Sequence, residues 1–281
     1  MKKKIIKPVF MNIGMAILAF IWLIPILWLV VTSFSSYKGI NTMHFFPTDW
    51  SVNNYIQLFF KPDTVANFPA WFRNSMFIGI FSCIISTLFV LMVAYAMSCM
   101  RFKARKTLMS VGIILGMFPG VLSMIAIYFV MKLVGMTDSL VGLVIIYSAG
   151  SGLGYLICKG FFDTISASLR EAAKMEGASE LSIFARIVVP LSRPIIVYTV
   201  INSFLAPWMD FVMAKLMIRS KNPTDWTVAM GLFNLVQRTL VGDYFSLFCA
   251  GGVMVAIPIS ILFVIMQKFY VEGITGGAVK G

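Results

Sequence analysis

Charged residues are absent from six long windows of the chain, and apolar residues fill these windows. The windows are 8–37, 74–100, 107–131, 139–158, 194–209 and 244–267. A helix that crosses a bilayer needs about 20 mostly apolar residues. The window at 194–209 is the short one, but apolar residues continue beyond Asp210 to about 218, so we predict a span there as well.

The pattern predicts an all-α, polytopic membrane protein with six transmembrane helices, forming one permease-like domain over 1–281. The predicted spans are 9–34, 75–99, 107–132, 139–160, 194–218 and 244–268. A signal peptide has an apolar core of only about 7–15 residues. The first apolar run is much longer and lacks a small-residue cleavage site, so we interpret it as an uncleaved span.

The composition supports a membrane protein and excludes several soluble classes. Of 281 residues, 59% are hydrophobic and 12% are charged, whereas soluble domains carry roughly 25% charged residues. The net charge of +12 does not indicate nucleic-acid binding here, because basic residues in short loops act as topology signals and meet anionic lipid headgroups.

Basic residues predict that both termini are cytoplasmic. With the N-terminus inside, most lysines and arginines fall in cytoplasmic segments, including Lys2, Lys3, Lys4, Lys7, Arg101, Lys103, Arg105 and Lys106. The opposite orientation would export these groups, against the positive-inside rule. The segment 161–193, between the fourth and fifth spans, is then cytoplasmic.

No catalytic or metal site is predicted. The four cysteines have no C-x-x-C spacing, and the single histidine, His44, lies outside the windows, so a membrane-bound enzyme is disfavoured. A phosphate-binding G-x-x-x-x-G-K-[ST] sequence is also missing from the chain,. Asp210 is the one acid deep in an apolar stretch; a pathway role and a structural role, with Lys215 as partner, both remain open.

The first half of 161–193 has a helical pattern. Ile165, Leu169 and Ala172 recur at helical spacing on one face,. Gly177 is expected to end this helix, because glycine adopts the left-handed conformation without a Cβ clash.

A second short helix is predicted to follow. Ser179 is a plausible N-cap, and Leu181, Phe184 and Val188 are expected to share its apolar face. Pro190 is expected to end it. By periodicity alone, an ordinary amphipathic loop on the membrane surface explains the segment equally well.

The spacing of residues within this loop resembles the EAA loop of ABC-importer permeases, whose pattern is EAA, three residues, G, nine residues, then I/V-x-L/V-P. The matching residues are Glu171, Ala172, Ala173, Gly177, Ile187 and Pro190. Glu176 departs from the pattern, because sugar permeases usually carry aspartate before this glycine.

The resemblance extends over essentially the whole chain, including 208–211 and the glycine-rich end at 273–281. It is to carbohydrate-uptake permeases, and within them to the smaller permease subunit of maltose/maltodextrin-type importers. The resemblance implies the MetI-like fold of type I ABC importers. It also implies the bacterial inner membrane as location.

The resemblance further implies partners: a second homologous permease, an ABC ATPase dimer that binds ATP and Mg²⁺, and an extracytoplasmic sugar-binding protein. This chain would hold no cofactor. The implied ATPase-coupling residues are Glu171, Ala172, Ala173, Gly177, Leu181, Phe184, Ile187 and Pro190. Maltose and maltodextrins are the leading substrates, with galacto-oligosaccharides or raffinose-type sugars as alternatives. An ATPase-independent carrier or channel is the rival class, but it leaves the loop motif unexplained.

Overall fold

The structure, a computed structural model, describes residues 2–40, 44–150 and 154–278, with side chains over 11–40, 44–150 and 154–268. The final residues of the C-terminal resemblance, 279–281, therefore lie outside the described residues. The helices in chain order are α1 (Lys2–Ser33), α2 (Asn53–Phe60), α3 (Phe68–Cys99), α4 (Arg105–Gly116), α5 (Gly120–Leu133), α6 (Leu140–Ala149), α7 (Gly154–Phe162), α8 (Ala167–Met175), α9 (Glu180–Ile183), α10 (Val189–Leu191), α11 (Arg193–Met209), α12 (Val212–Met217), α13 (Val228–Leu235) and α14 (Val241–Ala278). A π-helical turn (Phe184–Val188) joins α9 to α10, and a 3₁₀ turn (Pro223–Asp225) precedes α13.

The all-α class is confirmed. The described residues contain three helices long and apolar enough to cross a membrane, or up to six spans if each bent pair of helices counts as one. Three are single helices: Met11–Ser33 of α1, the whole of α3, and Val241–Lys268 of α14. Three are pairs of helices bent at a short break: α4 with α5, α6 with α7, and Glu180–Leu191 with α11. In the last pair only α11 falls in a predicted span, so we assign 180–191 to the preceding loop.

The surface of α1 shows why this chain needs a bilayer. No residue of an 18-residue apolar stretch within this helix is buried within the structure. Phe20 and Trp22 are 61% and 75% exposed. Water-soluble monomers rarely expose so large a contiguous apolar surface, so hydrocarbon or another membrane subunit must cover it.

The third predicted span, 107–132, is not one continuous helix. It breaks between Gly116 and Gly120 with a bend of 105°. Pro119 is extended at the break, with ψ 123°, and it lacks the amide hydrogen that a continuing helix needs. Gly112, Gly116 and Gly120 have G-x-x-x-G spacing in the sequence, but because of this break they do not lie along one helix face. Gly112 instead approaches Tyr155, whose hydroxyl would lie 2.8 Å from an added Cβ.

The fifth span ends earlier than the predicted position 218. Helix α11 stops at Met209, and Asp210 is extended before α12 begins. The Asp210 carboxylate accepts a hydrogen bond from the Met213 amide at 2.9 Å, so a side chain takes a backbone donor at the start of α12. The pairing with Lys215 that the sequence left open is not seen among the described residues; the Lys215 ammonium lies 5.5 Å from the centroid of the Trp226 ring.

One compact unit comprises 1–69 and 231–257. The buried Asn54 amide nitrogen donates to the carbonyls of Ser33 and Ser35 at 2.9 and 2.8 Å. Its oxygen accepts from the Ser246 hydroxyl at 3.2 Å. A single buried amide therefore joins the end of α1, helix α2 and the start of α14.

The second unit comprises 70–230 and 258–281 and contains two hydrophobic clusters. One includes the fully buried Ile78 and Leu143. The other includes Ala94, Phe162 and Ile183, also fully buried, from α3, α7 and α9. This second cluster holds the loop 161–193 against the ends of two spans and so positions the candidate site.

Candidate functional site

The first helix of loop 161–193 ends where the sequence predicts. Ser166 caps its start, accepting from the Ser168 amide at 3.3 Å, and the helix ends before Glu176. Gly177 has φ +82°, and nothing lies within 4 Å of the position of an added Cβ. Backbone conformation, and not lack of space, therefore requires glycine here.

The second helix begins as predicted but does not end at Pro190. The Ser179 hydroxyl accepts from the Ser182 amide at 3.3 Å, which confirms the cap. Pro190 lies inside α10, which continues to Leu191. In the preceding π turn the Val189 amide donates to the Phe184 carbonyl five residues earlier. A proline ring normally clashes with the carbonyl four residues before it, and the wider turn gives it room.

The same π turn changes which side chains are buried. Ile183 and Val188, five residues apart, are fully buried. Leu181 is 74% exposed, so the expected common face of Leu181, Phe184 and Val188 is wrong for Leu181. Phe184 is half-buried, with its ring 5.1 Å from that of Tyr95. The extra residue in the turn shifts the helical register, which a pattern based on 3.6 residues per turn does not detect.

The EAA-like residues divide into an outward and an inward set. Glu171 and Ala172 are exposed, as are Met175 and Leu181 at 89% and 74%; we call these four side chains the outer face of the loop. Ala173 is half-buried against the cluster of Ile183, and so is Ile187. The loop thus combines a packed inner side with an outer face that no part of the chain described by the structure covers.

A tyrosine–carboxylate pair connects the second loop helix to α3. The Tyr95 hydroxyl donates to Glu180 Oε2 at 2.7 Å, and Lys174 forms an ion pair with the same carboxylate. The hydrogen bond from Lys174, followed by that from Tyr95, lowers the pKa of Glu180. Glu180 is therefore ionised at neutral pH and links both loop helices to the end of a span.

A second carboxylate makes an equivalent connection. The Ser98 hydroxyl, in the last turn of α3, donates to Asp163 at 2.6 Å, and Lys159 donates at 2.5 Å. Burial raises the pKa of Asp163, but the hydrogen bonds from Lys159 and Ser98 outweigh it, so the net shift is downward. Neither Ser98 nor Tyr95 was singled out by sequence reasoning, because both lie within an apolar span and contact the loop only through the tertiary fold.

A basic cavity of about 590 Å³ lies beside α8. Two carboxylates, those of Glu171 and Glu180, line it together with a larger number of cationic side chains. The four cationic residues are Arg101, Arg105, Arg170 and Lys174. Among the described residues, only Lys174 of these four forms an ion pair. The surface next to the outer face is therefore electropositive and suits an acidic partner surface.

The other acid identified from sequence, Asp210, lies in a different part of the same unit. Its Oδ2 accepts from the Tyr147 hydroxyl at 3.2 Å, while its Oδ1 caps α12. No lysine or arginine of the described residues lies within ion-pair distance of it. Asp210 is thus a half-buried carboxylate held by two neutral donors.

Comparison with known proteins agrees with this architecture. Residues 91–275 match the family "Binding-protein-dependent transport system inner membrane component". The chain is 32% identical over 280 residues, 99% of this chain and 98% of the relative, to the galactooligosaccharides transport system permease protein GanQ of Bacillus subtilis (strain 168). It is 31% identical over 90% of both chains to the maltodextrin transport system permease protein MdxG of the same organism.

A further relative matches a shorter part of the chain, and a solved structure has the same fold. The maltose/maltodextrin transport system permease protein MalG of Escherichia coli (strain K12) is 36% identical over 217 residues, 75% of this chain and 72% of that protein. A crystal structure of a bacterial ABC transporter involved in the import of the acidic polysaccharide alginate has a chain of the same fold. It matches with a TM-score of 0.78 at 24% identity, covering 94% of this chain and 96% of that one.

The matched region and the full-length relatives define the class as a multi-pass permease of ABC import systems. This chain belongs to the family of inner membrane components of binding-protein-dependent transport systems. The sequence-based prediction that the chain is a permease of ABC importers is thereby confirmed.

Proposed function

We propose that this chain is the transmembrane subunit of an ATP-driven oligosaccharide importer and that loop 161–193 receives movement from a partner ATPase. The observation that carries the proposal is the two-sided loop. Its outer face, Glu171, Ala172, Met175 and Leu181, is exposed. Its inner side is packed into the ends of α3 and α7.

Movement applied to the outer face passes to the spans through rigid contacts. Buried Ile183 transmits it through close packing, since protein interiors have low compressibility. The Tyr95–Glu180 and Ser98–Asp163 hydrogen bonds transmit it to α3. The loop also continues directly into α11 at Arg193. One partner acting on this loop therefore biases three helices between two arrangements.

The partners follow from this role. An ABC ATPase dimer would bind ATP and Mg²⁺, with Gly177 shaping the docked turn. Half-buried Phe184 and Ile187 would support this turn from within, and exposed Pro190 would follow it on the surface. A second homologous permease would complete the pathway, and an extracytoplasmic binding protein would deliver the sugar. The positive-inside rule supports cytoplasmic termini and a cytoplasmic loop.

The proposed substrates are neutral oligosaccharides. The relatives GanQ, MdxG and MalG are named for galactooligosaccharide and maltodextrin transport, which supports both sugars as candidates. We take maltodextrins as the first to test, with galacto-oligosaccharides and raffinose-type sugars as the alternatives.

Purification of a tagged copy from its native host in mild detergent, followed by mass spectrometry, tests this function. We expect a second permease and an ATPase to co-purify, and the reconstituted assembly to hydrolyse ATP faster when the loaded binding protein is added. Titration of the binding protein with each sugar identifies the substrate. Recovery of this chain alone, with sugar uptake that is insensitive to ATP depletion, would support an independent carrier instead.

A further inference from the structure

A second cavity, of about 460 Å³, lies among α3, α5, α6, α7 and α11. Its polar lining residues are Ser86, Ser123, Tyr147, Tyr198, Thr199, Asn202, Ser203 and Asp210. Most of the remaining wall is apolar, with Ile146 and Ile157 as examples. Ligand sites typically have volumes of about 300–1,000 Å³ and combine an apolar wall with a few placed polar groups.

We propose that this cavity is a contact site for sugar hydroxyls within this chain, with Asp210 as the principal acceptor and uncharged sugars as the ligand class. The proposal rests on the proposed function and assigns to this subunit a direct part in choosing the sugar.

The hydrogen bonding of Asp210 leaves acceptor capacity for a ligand. An ionised carboxylate has about four lone-pair sites, and here two are used, by the Tyr147 hydroxyl and the Met213 amide. A carboxylate in an apolar span is costly unless polar groups compensate it. The vicinal hydroxyls of a sugar are donors that can fill the remaining sites.

Asn202 supplies a second polar contact on the same wall. Its side chain is exposed, and its amide nitrogen donates to the Tyr198 carbonyl at 2.8 Å. Among the described residues its amide oxygen accepts no hydrogen bond, so this oxygen remains for a ligand hydroxyl. Tyr147 and Tyr198 add half-buried aromatic side chains, which provide apolar surface next to the polar groups, as the CH-rich faces of a sugar require.

The charge of the cavity determines the class of sugar. Among its lining residues, all of which the structure describes, Asp210 is the one with a side chain of the Asp, Glu, Lys or Arg type, and no cationic side chain accompanies it. A uronate carboxylate would meet a like charge in a site of low dielectric constant, without a compensating cation. Neutral oligosaccharides are therefore favoured over acidic ones.

The competing explanation is that Asp210 has only a structural role as the cap of α12. Asp210→Asn separates the two, because the amide oxygen still caps Met213 while the charge is lost. We expect the reconstituted transporter carrying Asp210→Asn to show about a tenfold higher apparent KM for a neutral oligosaccharide such as maltotriose. We also expect competition by a uronate-containing oligosaccharide to become stronger. The maximal rate of uptake should change less than about twofold.

Asp225→Asn is the matched control. Asp225 accepts from Ser220 and Thr224 and does not line the cavity, so the same change there should leave the KM for sugar unaltered. An unchanged KM in Asp210→Asn, together with unchanged competition by the uronate, would overturn the proposal.

A labelling experiment keeps the test decisive if Asp210→Asn does not assemble. Cysteine at the exposed position 202 (Asn202→Cys) should react with a small maleimide in the assembled transporter, and maltotriose should slow this reaction at least about threefold through competition for the site. Three native cysteines, Cys83, Cys158 and Cys249, are buried, and the parent chain gives the background. Labelling that maltotriose does not slow overturns the proposal. If the loaded binding protein does not stimulate ATP hydrolysis by the parent transporter, the proposed function is contradicted instead.

Discussion

Two tyrosine hydroxyls donate to carboxylates that follow breaks between helices, and their surroundings differ. Tyr95 donates to Glu180 at 2.7 Å, and Lys174 supplies a counter-charge. Tyr147 donates to Asp210 at 3.2 Å, and the other donor is a neutral backbone amide. The first pair joins a loop to a span, while the second lies on the wall of a cavity.

The two carboxylates differ in whether groups of the chain itself satisfy them: Glu180 has a cationic partner, whereas Asp210 keeps free acceptor capacity. Glu180 has its charge balanced by Lys174 and is oriented by Tyr95, which suits a fixed mechanical connection. Asp210 lacks a cation among the described residues and retains acceptor capacity, which suits exchange with a mobile polar ligand. If this division is correct, changes in the loop alter ATP coupling without altering the KM for sugar, and changes in the cavity do the reverse.

Gly177→Val should have the largest effect on the loop side. A β-branched residue at φ +82° is strained by roughly 1–2 kcal/mol or more, and the turn that presents the outer face should distort. We expect binding-protein-stimulated ATP hydrolysis to fall more than about tenfold, measured on transporter reconstituted in proteoliposomes. Gly177→Asn is the control, because asparagine tolerates the left-handed conformation and should retain most activity. Equal activity of the valine and asparagine variants would show that coupling does not require the left-handed backbone conformation at position 177.

Ile183→Ala and Leu181→Ala should separate the inner side of the loop from its outer face. Ile183 is fully buried, so its truncation should destabilise the loop by about 2–5 kcal/mol. Leu181 is 74% exposed, so Leu181→Ala should leave stability unchanged but weaken association with the ATPase. Heating the purified complex in detergent and following aggregation measures the first effect; co-purification of the ATPase measures the second. The reverse pattern would mean that the docking surface has been assigned to the wrong side of the loop.

Tyr95→Phe and Tyr147→Phe test the comparison directly, since each removes one hydroxyl from one pair. A hydrogen bond to a partly exposed, charged partner contributes only about 1 kcal/mol of stability. We therefore expect Tyr95→Phe to reduce stimulated ATP hydrolysis about threefold to fivefold, with the KM for sugar unchanged. Tyr147→Phe should raise that KM by a similar factor and leave ATP hydrolysis at saturating sugar unaltered. The same response from both variants would contradict a division of tasks.

Glu180→Gln should have the smallest effect, and that effect should depend on pH. The pKa of Glu180 is lowered in the folded loop below the ordinary glutamate value of about 4.3. Ionisation thus stabilises the fold fully above that value, and the contribution is lost as pH falls through the folded pKa. The thermal stability of wild type should exceed that of Glu180→Gln at pH 7, and the difference should shrink as pH falls below the ordinary glutamate value of about 4.3. Glu176→Gln, at an exposed position, is the control. A difference that stays constant down to pH 3.5 would exclude the carboxylate as its source.

Sequence reasoning predicted the class, the number of spans and the position of the loop from features that are local or specifically spaced. Gly177 and Ser179 act through their own backbone neighbours, so their roles as helix end and cap were predictable and are confirmed. Pro190 was misread, because a π turn earlier in the helix makes room for its ring. That turn also buries Ile183, which the 3.6-residue pattern passed over.

The apolar windows by themselves determined that this chain is a multi-pass helical membrane protein and predicted six spans, because burial of backbone hydrogen bonds in hydrocarbon leaves few other solutions. Only the tertiary structure decided which helices break and which carboxylates find partners. Lys215 faces Trp226 and not Asp210, and Tyr95 and Ser98 reach the loop from a span 65 or more residues away. Contacts between residues so far apart depend on how the helices pack, and hydrophobic periodicity along one segment carries no information about that packing.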